Sequence, residues 1–271
     1  MQVLVIYEYF IETKGKMLKK EVILWISGIV IALLVGYLNA VKSEDYPVSG
    51  TVGIEGRKVS YLFPKYHYGD DSLLIRVRAD LTHIDGELLW KRKGSNEEFK
   101  RIKMLKEGGF LVGKIMPLPP KTVIEYCVKL YSEGRINELT LPEGGAVTVG
   151  FKNKIPKSLS TTAFLTLYGG LLLALRAGLE IFNVRKRIKM FSIFTFISFL
   201  LNKIVLSPVI ISINENAIGV KVLPPSVLFP PLNLVLPLVW LLSLILIFIT
   251  RYGREAVLSA TVITLLFTII F

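Results

Sequence analysis

Five long apolar blocks constrain the fold of this chain more than any other feature of its sequence. Each block is about long enough for a helix to cross a hydrocarbon layer of roughly 30 Å. A backbone inside a bilayer must satisfy its own hydrogen bonds, so the blocks are predicted to be membrane-spanning helices. They cover residues 21–41, 161–182, 190–213, 232–250 and 256–271. The last block, sixteen residues long, is barely long enough to span.

The segment before the first block, residues 1–20, is predicted to be a cytoplasmic tail. Met17 is followed by a leucine, two lysines and the apolar run, which is how a membrane-targeting N-terminus normally begins. We therefore hypothesise that translation starts at Met17 and that residues 1–16 are not translated. The block at 21–41 is either an uncleaved signal anchor or a cleaved signal peptide, and its length favours the anchor.

Residues 42–157 differ in kind from the rest of the chain, because charged residues are frequent and the apolar runs are short. Apolar and polar residues alternate over short stretches separated by turn signals such as Asp85-Gly86, which is typical of half-buried strands. The predicted strands are 58–63, 72–78, 87–92, 99–104, 110–116, 123–131 and 146–151. About seven strands in about a hundred residues favour a β-sandwich of the fibronectin type III or immunoglobulin kind. The fold class is therefore α+β.

The positive charges are placed as in a membrane protein. The formal net charge is +12, but many Lys and Arg residues flank the apolar blocks, and no nucleic-acid-binding motif is present. The loop 183–189 is strongly basic, whereas the loop 214–231 holds one lysine balanced by one glutamate. Short basic loops remain in the cytoplasm. The sequence therefore predicts a multi-pass protein of the cell (inner) membrane with a cytoplasmic N-terminus and residues 42–157 extracytoplasmic.

Arg176 and Glu180 break the apolar pattern of the second block. They lie four residues apart, so they share one helix face and can pair. Ionisable residues in a spanning segment are costly and often functional, although Arg176 is close enough to a helix end to snorkel. A structural ion pair is favoured over a functional site that lines a cavity. Gly178, with Gly169 and Gly170, is expected to allow close helix packing.

Lys203 and Pro208 are secondary candidates in the third block. A bridge from Lys203 to Glu180 is not expected, because the two residues are predicted at different depths, and Lys203 is expected to reach the outer surface or Glu215. Pro208 interrupts the helix and begins a proline-rich segment. That segment is either re-entrant, which would indicate transport, or a rigid outer loop, which is favoured because no strongly polar set accompanies it.

The sequence contains no recognisable motif for catalysis, cofactor binding or metal binding. Cys127 is the single cysteine and lies in an alternating apolar run, so a buried core residue is expected. The two histidines, His67 and His83, lack the spacing of a metal site. No nucleophile motif, phosphate loop or dinucleotide fingerprint is present. We predict no cofactor, no metal and no enzymatic activity.

The stretches 86–92, 99–104, 109–115 and 124–126 resemble a fibronectin type III-like module of a family of uncharacterised prokaryotic multi-pass membrane proteins. In that family an Arg-x-Gly-Leu-Glu stretch follows in the next helix, and residues 176–180 match it. The family then has a Gly-Pro element, where this chain has Ser-Pro, and an aromatic, acidic loop, which this chain lacks. The resemblance covers roughly residues 55–210 and implies an architecture but no activity.

These observations predict a non-enzymatic membrane protein whose outer β domain binds a protein partner or an envelope component, with the lipid bilayer as its other partner. The alternative is a small transporter or membrane enzyme that uses Arg176, Glu180 and Lys203. If these three side chains met in one water-accessible cavity, the binding role would lose ground; if they snorkelled apart to opposite surfaces, the transport alternative would fail.

Overall fold

The computed structural model describes residues 2–43, 45–54, 56–79, 83–132, 138–183, 187–215 and 223–270, with side chains from residue 19 onward. The protein is α+β and divides into a helical unit and a strand unit. The strand unit comprises Ser43–Ile155 together with residues 213–215, and the other described residues belong to the helical unit.

The helical unit contains helices where the apolar blocks predict them. The helices are α1 (Gln2–Lys42), α2 (Lys157–Leu179), α3 (Ile188–Leu200), α4 (Ser207–Glu215), α5 (Pro225–Leu228), α6 (Pro231–Ile249) and α7 (Gly253–Ile270). A 3₁₀ turn, Glu180–Phe182, follows α2, and a π-helical segment, Leu201–Leu206, joins α3 to α4.

Five segments in the described part of the chain are long and apolar enough to cross a membrane, as predicted. They are Lys19–Lys42, Lys157–Phe182, Ile188–Glu215, Pro231–Ile249 and Gly253–Ile270. The helix α1 continues back to Gln2, so the predicted tail is helical as well. The last segment starts at Gly253, three residues earlier than its apolar block, which brings its length to 18 residues.

The helices pack around α2, which contacts α1, α3 and α7, while α6 contacts α3 and α7. One apolar cluster centres on Trp240 and Phe199, and a second joins Val35 of α1 to Leu171 and Leu175 of α2. Most leucine and isoleucine side chains of the helices are nevertheless exposed. Such an outward apolar surface is expected where lipid takes the place of water.

The strand unit contains two sheets. Its strands are β1 (Val48–Ile54), β2 (Arg57–Phe63), β3 (Tyr66–Tyr68), β4 (Leu73–Arg78), β5 (Ile84–Arg92), β6 (Lys100–Lys103), β7 (Leu105–Glu107), β8 (Phe110–Ile115), β9 (Val123–Ser132), β10 (Glu138–Leu141) and β11 (Val147–Lys152). The first sheet has the order β1-β2-β4-β8-β7. The second has the order β3-β11-β9-β5-β6, with β10 paired to β9.

The two sheets share one hydrophobic core, to which alternate residues of the longer strands contribute. In β4, for example, Leu73, Ile75 and Val77 are buried while the residues between them are exposed. Tyr126 of β9 is fully buried, and its hydroxyl donates a hydrogen bond of 2.9 Å to the carbonyl of Pro64. This period of two is what places one face of each strand in the core.

All seven predicted stretches are strands, but β1, β3, β7 and β10 were not predicted. The three residues of β7 are all exposed, so they carry no alternation to detect.

The bases Arg185 and Lys186 of the predicted cytoplasmic loop lie outside the described residues, and so do residues 216–222 of the proline-rich segment. The choice between a re-entrant segment and an outer loop therefore stays a prediction.

Candidate functional site

Arg176 and Glu180 form an ion pair at the end of α2, as their spacing predicts. The guanidinium donates from Nη1 to Oε2 of the carboxylate. The side chains are 1% and 0% exposed, so the pair is enclosed by protein. A buried ion pair is tolerated only where further hydrogen bonds satisfy its remaining polar atoms.

Glu180 obtains these hydrogen bonds from the turn that follows it. Its Oε1 accepts one from the side-chain amide of Asn183 at 3.0 Å and another from the backbone N–H of Arg187 at 2.8 Å. Both donors lie between α2 and α3, where helix ends leave N–H groups without helical partners. The carboxylate therefore fixes the connection between the two helices.

Arg176 is held between aromatic rings of two other helices. Its guanidinium carbon lies 4.8 Å from the ring centroid of Phe191 in α3 and 5.6 Å from that of Trp25 in α1. Cations are attracted to the faces of such rings. The ion pair thus links α1, α2 and α3, which favours the structural interpretation over an open ligand site.

Glycines of α2 permit close helix contacts at two of the three predicted places. A Cβ on Gly178 would lie 2.7 Å from Oγ1 of Thr261 in α7, and one on Gly170 would lie 3.1 Å from Phe199 in α3. At Gly169, by contrast, an added Cβ would have no atom within 4 Å. Two glycines therefore serve packing and the third does not.

Lys203 lies in the π-helical segment just before Pro208. Proline offers no N–H and its ring displaces the carbonyl four residues earlier, so the α-helical pattern cannot continue unchanged through this region. The backbone N–H of Ser207 bonds instead to the carbonyl of Asn202, five residues back. Such wide turns are frequent at functional sites because they reorient side chains within a helix.

Asn202 and Asn233 fix the helices around Lys203. The amide of Asn202 donates to the carbonyl of Ala163 at 2.7 Å and to the hydroxyl of Thr166 at 2.9 Å. The amide of Asn233 in α6 donates to the hydroxyl of Ser207 at 2.8 Å. The bonds of Asn202 join the π-helical segment to α2, and the bond of Asn233 joins α6 to the start of α4. Inter-helical hydrogen bonds of this kind hold bundles together in lipid.

Lys203 lines a cavity of about 240 Å³ in the helical unit. The polar residues Asn39, Asn233 and Thr268 contribute to its wall, and three leucines and one phenylalanine complete it. Neither Arg176 nor Glu180 belongs to this wall. Within the described part of the chain, Lys203 therefore lines a cavity that it does not share with Arg176 and Glu180.

Lys203 does not pair with Glu215. The carboxylate of Glu215 forms an ion pair with Lys121, within the strand unit. Among the described residues, no hydrogen bond or ion pair engages the Lys203 ammonium. Of the two expected positions of Lys203, the one next to Glu215 is thus not found, because Lys121 pairs with that acid, and the outer surface stays a prediction.

The sequence interpretation named Asn202 only as the neighbour of Lys203 and missed Asn39, Asn233 and Thr268. Single amides and hydroxyls are common in apolar helices, and their spacing shows no shared period. One signal was present: Asn202 adjoins Lys203, and two adjacent polar residues within an apolar block mark the side of a helix that faces protein instead of lipid.

The outer face of the first sheet carries a second candidate site. The exposed residues of β4 are Leu74, Arg76 and Arg78, and with Leu62 and Phe110 they line a groove of about 520 Å³. None of the residues that line the groove is acidic. An exposed surface that combines apolar and basic side chains is typical of an interaction site.

Cys127 of β9 is buried, as predicted. Burial raises the pKa of its thiol above the ordinary value, so the protein keeps it protonated and unreactive at neutral pH. Among the described residues, no group of three or more His, Cys, Asp or Glu side chains could hold a metal ion.

Comparisons with known proteins do not place this chain in a family. No protein-family model matches the sequence, and no curated protein matches it. One similar solved structure is titled "Crystal structure of Br derivative BhCBM56"; the match covers 40% of this chain and 95% of that chain, with 16% identity and a TM-score of 0.20. A TM-score this low carries no argument about the function of this chain.

Proposed function

We propose that this chain is a non-enzymatic, multi-pass protein of the cell membrane that acts as an interaction or structural component of a membrane complex. Its N-terminus lies in the cytoplasm, and its strand unit lies outside and binds a protein partner. The five segments long and apolar enough to span support the membrane placement.

The distribution of bases supports this orientation. Lys19 and Lys20 precede the apolar part of α1, Lys189 lies in the first turn of α3, and Arg251 and Arg254 adjoin the start of α7. These three helices run outward in the proposed topology, so all five bases lie on the cytoplasmic side. Short basic segments are retained on that side during insertion.

The packing of α1 supports an anchor that is retained after insertion. Trp25 contacts the guanidinium of Arg176, and a Cβ on Gly36 would lie 3.2 Å from the ring of Tyr168. Val35 is 3% exposed and belongs to a cluster with α2. A signal peptide removed by cleavage would leave these surfaces of α2 without their partner.

The strand order supports an immunoglobulin-like or fibronectin type III-like sandwich. Across the first sheet, β2, β4, β8 and β7 take the places of strands A, B, E and D of such a fold. In the second sheet, β11, β9 and β5 take the places of G, F and C. Domains of this kind commonly serve as binding modules, which agrees with the proposed role.

The groove on the first sheet is the observation that carries the proposed binding function. Leu62 is 61% exposed and Leu74 is 43% exposed, and the guanidinium-bearing Arg76 and Arg78 lie on the same face. Apolar residues rimmed by arginines are enriched at protein interfaces. We infer that the partner presents an acidic surface with an apolar centre, because such a surface complements this face.

Site-specific photo-crosslinking in native membranes tests this function. A photoreactive residue at position 74 of the full chain should give one discrete protein adduct, identifiable by mass spectrometry. The charge reversal Arg76→Glu should lower the adduct yield about tenfold, equivalent to roughly 1.4 kcal/mol of binding free energy. Arg92→Glu is the matched control, since Arg92 is exposed at the end of β5 in the other sheet.

Two results would count against the proposal. Adducts with lipid alone at position 74 would make the groove a lipid-facing surface. Equal adduct yields from Arg76→Glu and Arg92→Glu would remove the role of the groove. Orientation is tested separately by fusing a topology reporter after Ser43 and after Arg187, and an exported reporter after Arg187 would reverse the proposed topology.

A further inference from the structure

The ammonium group of Lys203 has no counter-charge among the described residues that line its cavity. It is half-buried in the helical unit, and none of these residues is acidic. A lysine at this depth is costly unless it is paired or reaches an aqueous or headgroup region. A negatively charged headgroup from outside the chain would meet both conditions.

The acids of the helical unit are too far away to supply that charge. Glu21 precedes Asn39 by 18 residues in α1, Glu255 precedes Thr268 by 13 in α7, and Glu180 is engaged by Arg176. At about 1.5 Å per residue, Glu21 and Glu255 lie about 27 Å and 20 Å along their helices from the cavity wall. Among the described side chains of this unit, none can neutralise Lys203.

The cavity lies where helices end. Asn39 is three residues from the end of α1, Thr268 is two from the end of α7, and Asn233 is in the first turn of α6. In the proposed topology this is the extracytoplasmic end of the bundle. The phosphate groups of the outer leaflet lie at this level, with acyl chains below them.

The wall of the cavity suits an amphiphile. The amide of Asn39 adds a hydrogen-bond donor beside Lys203, whereas Leu167, Leu236 and Phe267 provide an apolar surface that can contact the upper part of an acyl chain. One cation and one donor match a singly charged phosphate diester. A lone lysine would not suffice for a more highly charged group.

We propose that the Lys203 cavity binds the phosphate of an anionic phospholipid from the outer leaflet. This inference rests on the proposed placement of the helices in the membrane. The bound lipid would supply the counter-charge of Lys203 and would bridge α1, α6 and α7 at their outer ends. The site would thus make the bundle sensitive to the anionic lipid content of the membrane.

Native mass spectrometry of the purified full chain in detergent tests the proposal. With added phosphatidylglycerol, the wild type should retain one lipid at least about tenfold more strongly than Lys203→Met, and Lys203→Arg should retain most of the binding. Lys157→Met is the matched control, because it removes an exposed lysine at the start of α2 without touching the cavity. Phosphatidylcholine and inorganic phosphate serve as the two comparison ligands.

Preferential, Lys203-dependent retention of phosphatidylglycerol supports the site. Equal retention by the wild type and Lys203→Met would overturn it, as would displacement of the lipid by inorganic phosphate, which would assign the cavity to a soluble anion. If the methionine variant does not fold, the comparison of phosphatidylglycerol with phosphatidylcholine on the wild type still decides the proposal, because equal retention of the two lipids would overturn it. Resistance of the chain to alkaline extraction from membranes, measured in parallel, separates failure of this site from failure of the membrane placement.

Discussion

The substitution Glu180→Gln removes the charge of the buried ion pair while keeping its shape. Glu180 accepts hydrogen bonds from Arg176, from the amide of Asn183 and from the backbone N–H of Arg187. Glutamine replaces one of the two carboxylate oxygens with an NH₂ group. In either orientation of the amide, that NH₂ group faces a donor, and the guanidinium is left buried without its counter-charge.

The expected loss of stability follows from the burial of the pair. Removing one partner from a buried ion pair costs about 3–5 kcal/mol. Because Arg176 is 1% exposed and Glu180 is 0% exposed, solvent screening does not reduce this range here. We expect Glu180→Gln to destabilise the chain by about 3 kcal/mol or more. In the double variant with Arg176→Met, no unpaired charge remains, so its loss should be smaller than the sum of the two single losses by about 0.5–3 kcal/mol.

The assay is the free energy of unfolding of the full chain in detergent micelles, measured by denaturant titration. Tryptophan fluorescence is a suitable signal, because the ring of Trp25 lies 5.6 Å from the guanidinium carbon of Arg176. Glu255→Gln is the matched control: Glu255 is an exposed acid in the first turn of α7, and its loss should change stability by no more than about 0.5 kcal/mol.

The reasoning is refuted if Glu180→Gln is as mild as the control. It is also refuted if the double variant loses as much as the two single variants together, since the two residues would then act independently. A loss confined to Arg176→Met would instead assign the stabilisation to the contacts of Arg176 with the aromatic rings.

Two further predictions concern close packing and the buried thiol. Gly178→Ala should destabilise the chain by about 1–3 kcal/mol because its Cβ would collide with Thr261, whereas Gly169→Ala, with nothing within 4 Å, should be close to neutral in the same unfolding assay. Cys127 should react with maleimide far more slowly in the folded chain than in denaturant. Because its pKa is raised, its thiolate appears only at higher pH than for a free cysteine, so the rate should rise above the ordinary thiol pKa, and fast labelling at neutral pH would contradict the buried assignment.

Much of the fold followed from local patterns. The alternation in β4 and β9 reflects a strand with one face in a core, so it could be seen without knowing the other sheet. The edge strand β7 could not be found in this way, since all three of its residues are exposed and its pairing depends on a neighbouring strand. The pair Arg176–Glu180 was predictable for the same reason, because its partners lie one helical turn apart.

The surroundings of these residues were decided by tertiary structure. Nothing in the local sequence places Trp25 against Arg176, or Thr261 against Gly178, because each contact joins helices far apart in the chain. The same holds for Glu215, which pairs with Lys121 and not with Lys203. For an acid and a base that lie far apart in the chain, pairing depends on the whole packing, and spacing along one helix carries no information about it.

The sequence by itself determined that five apolar segments and a β-rich unit exist, because helix length and strand alternation are properties of short stretches. Only the tertiary structure decided that the ion pair is enclosed while Lys203 lines a cavity whose described residues include no acid. The physical reason is that burial and charge pairing are set by neighbours from other helices. The two cations of the apolar helices therefore differ: Arg176 links three helices, and Lys203 lines the cavity that we propose binds a lipid phosphate.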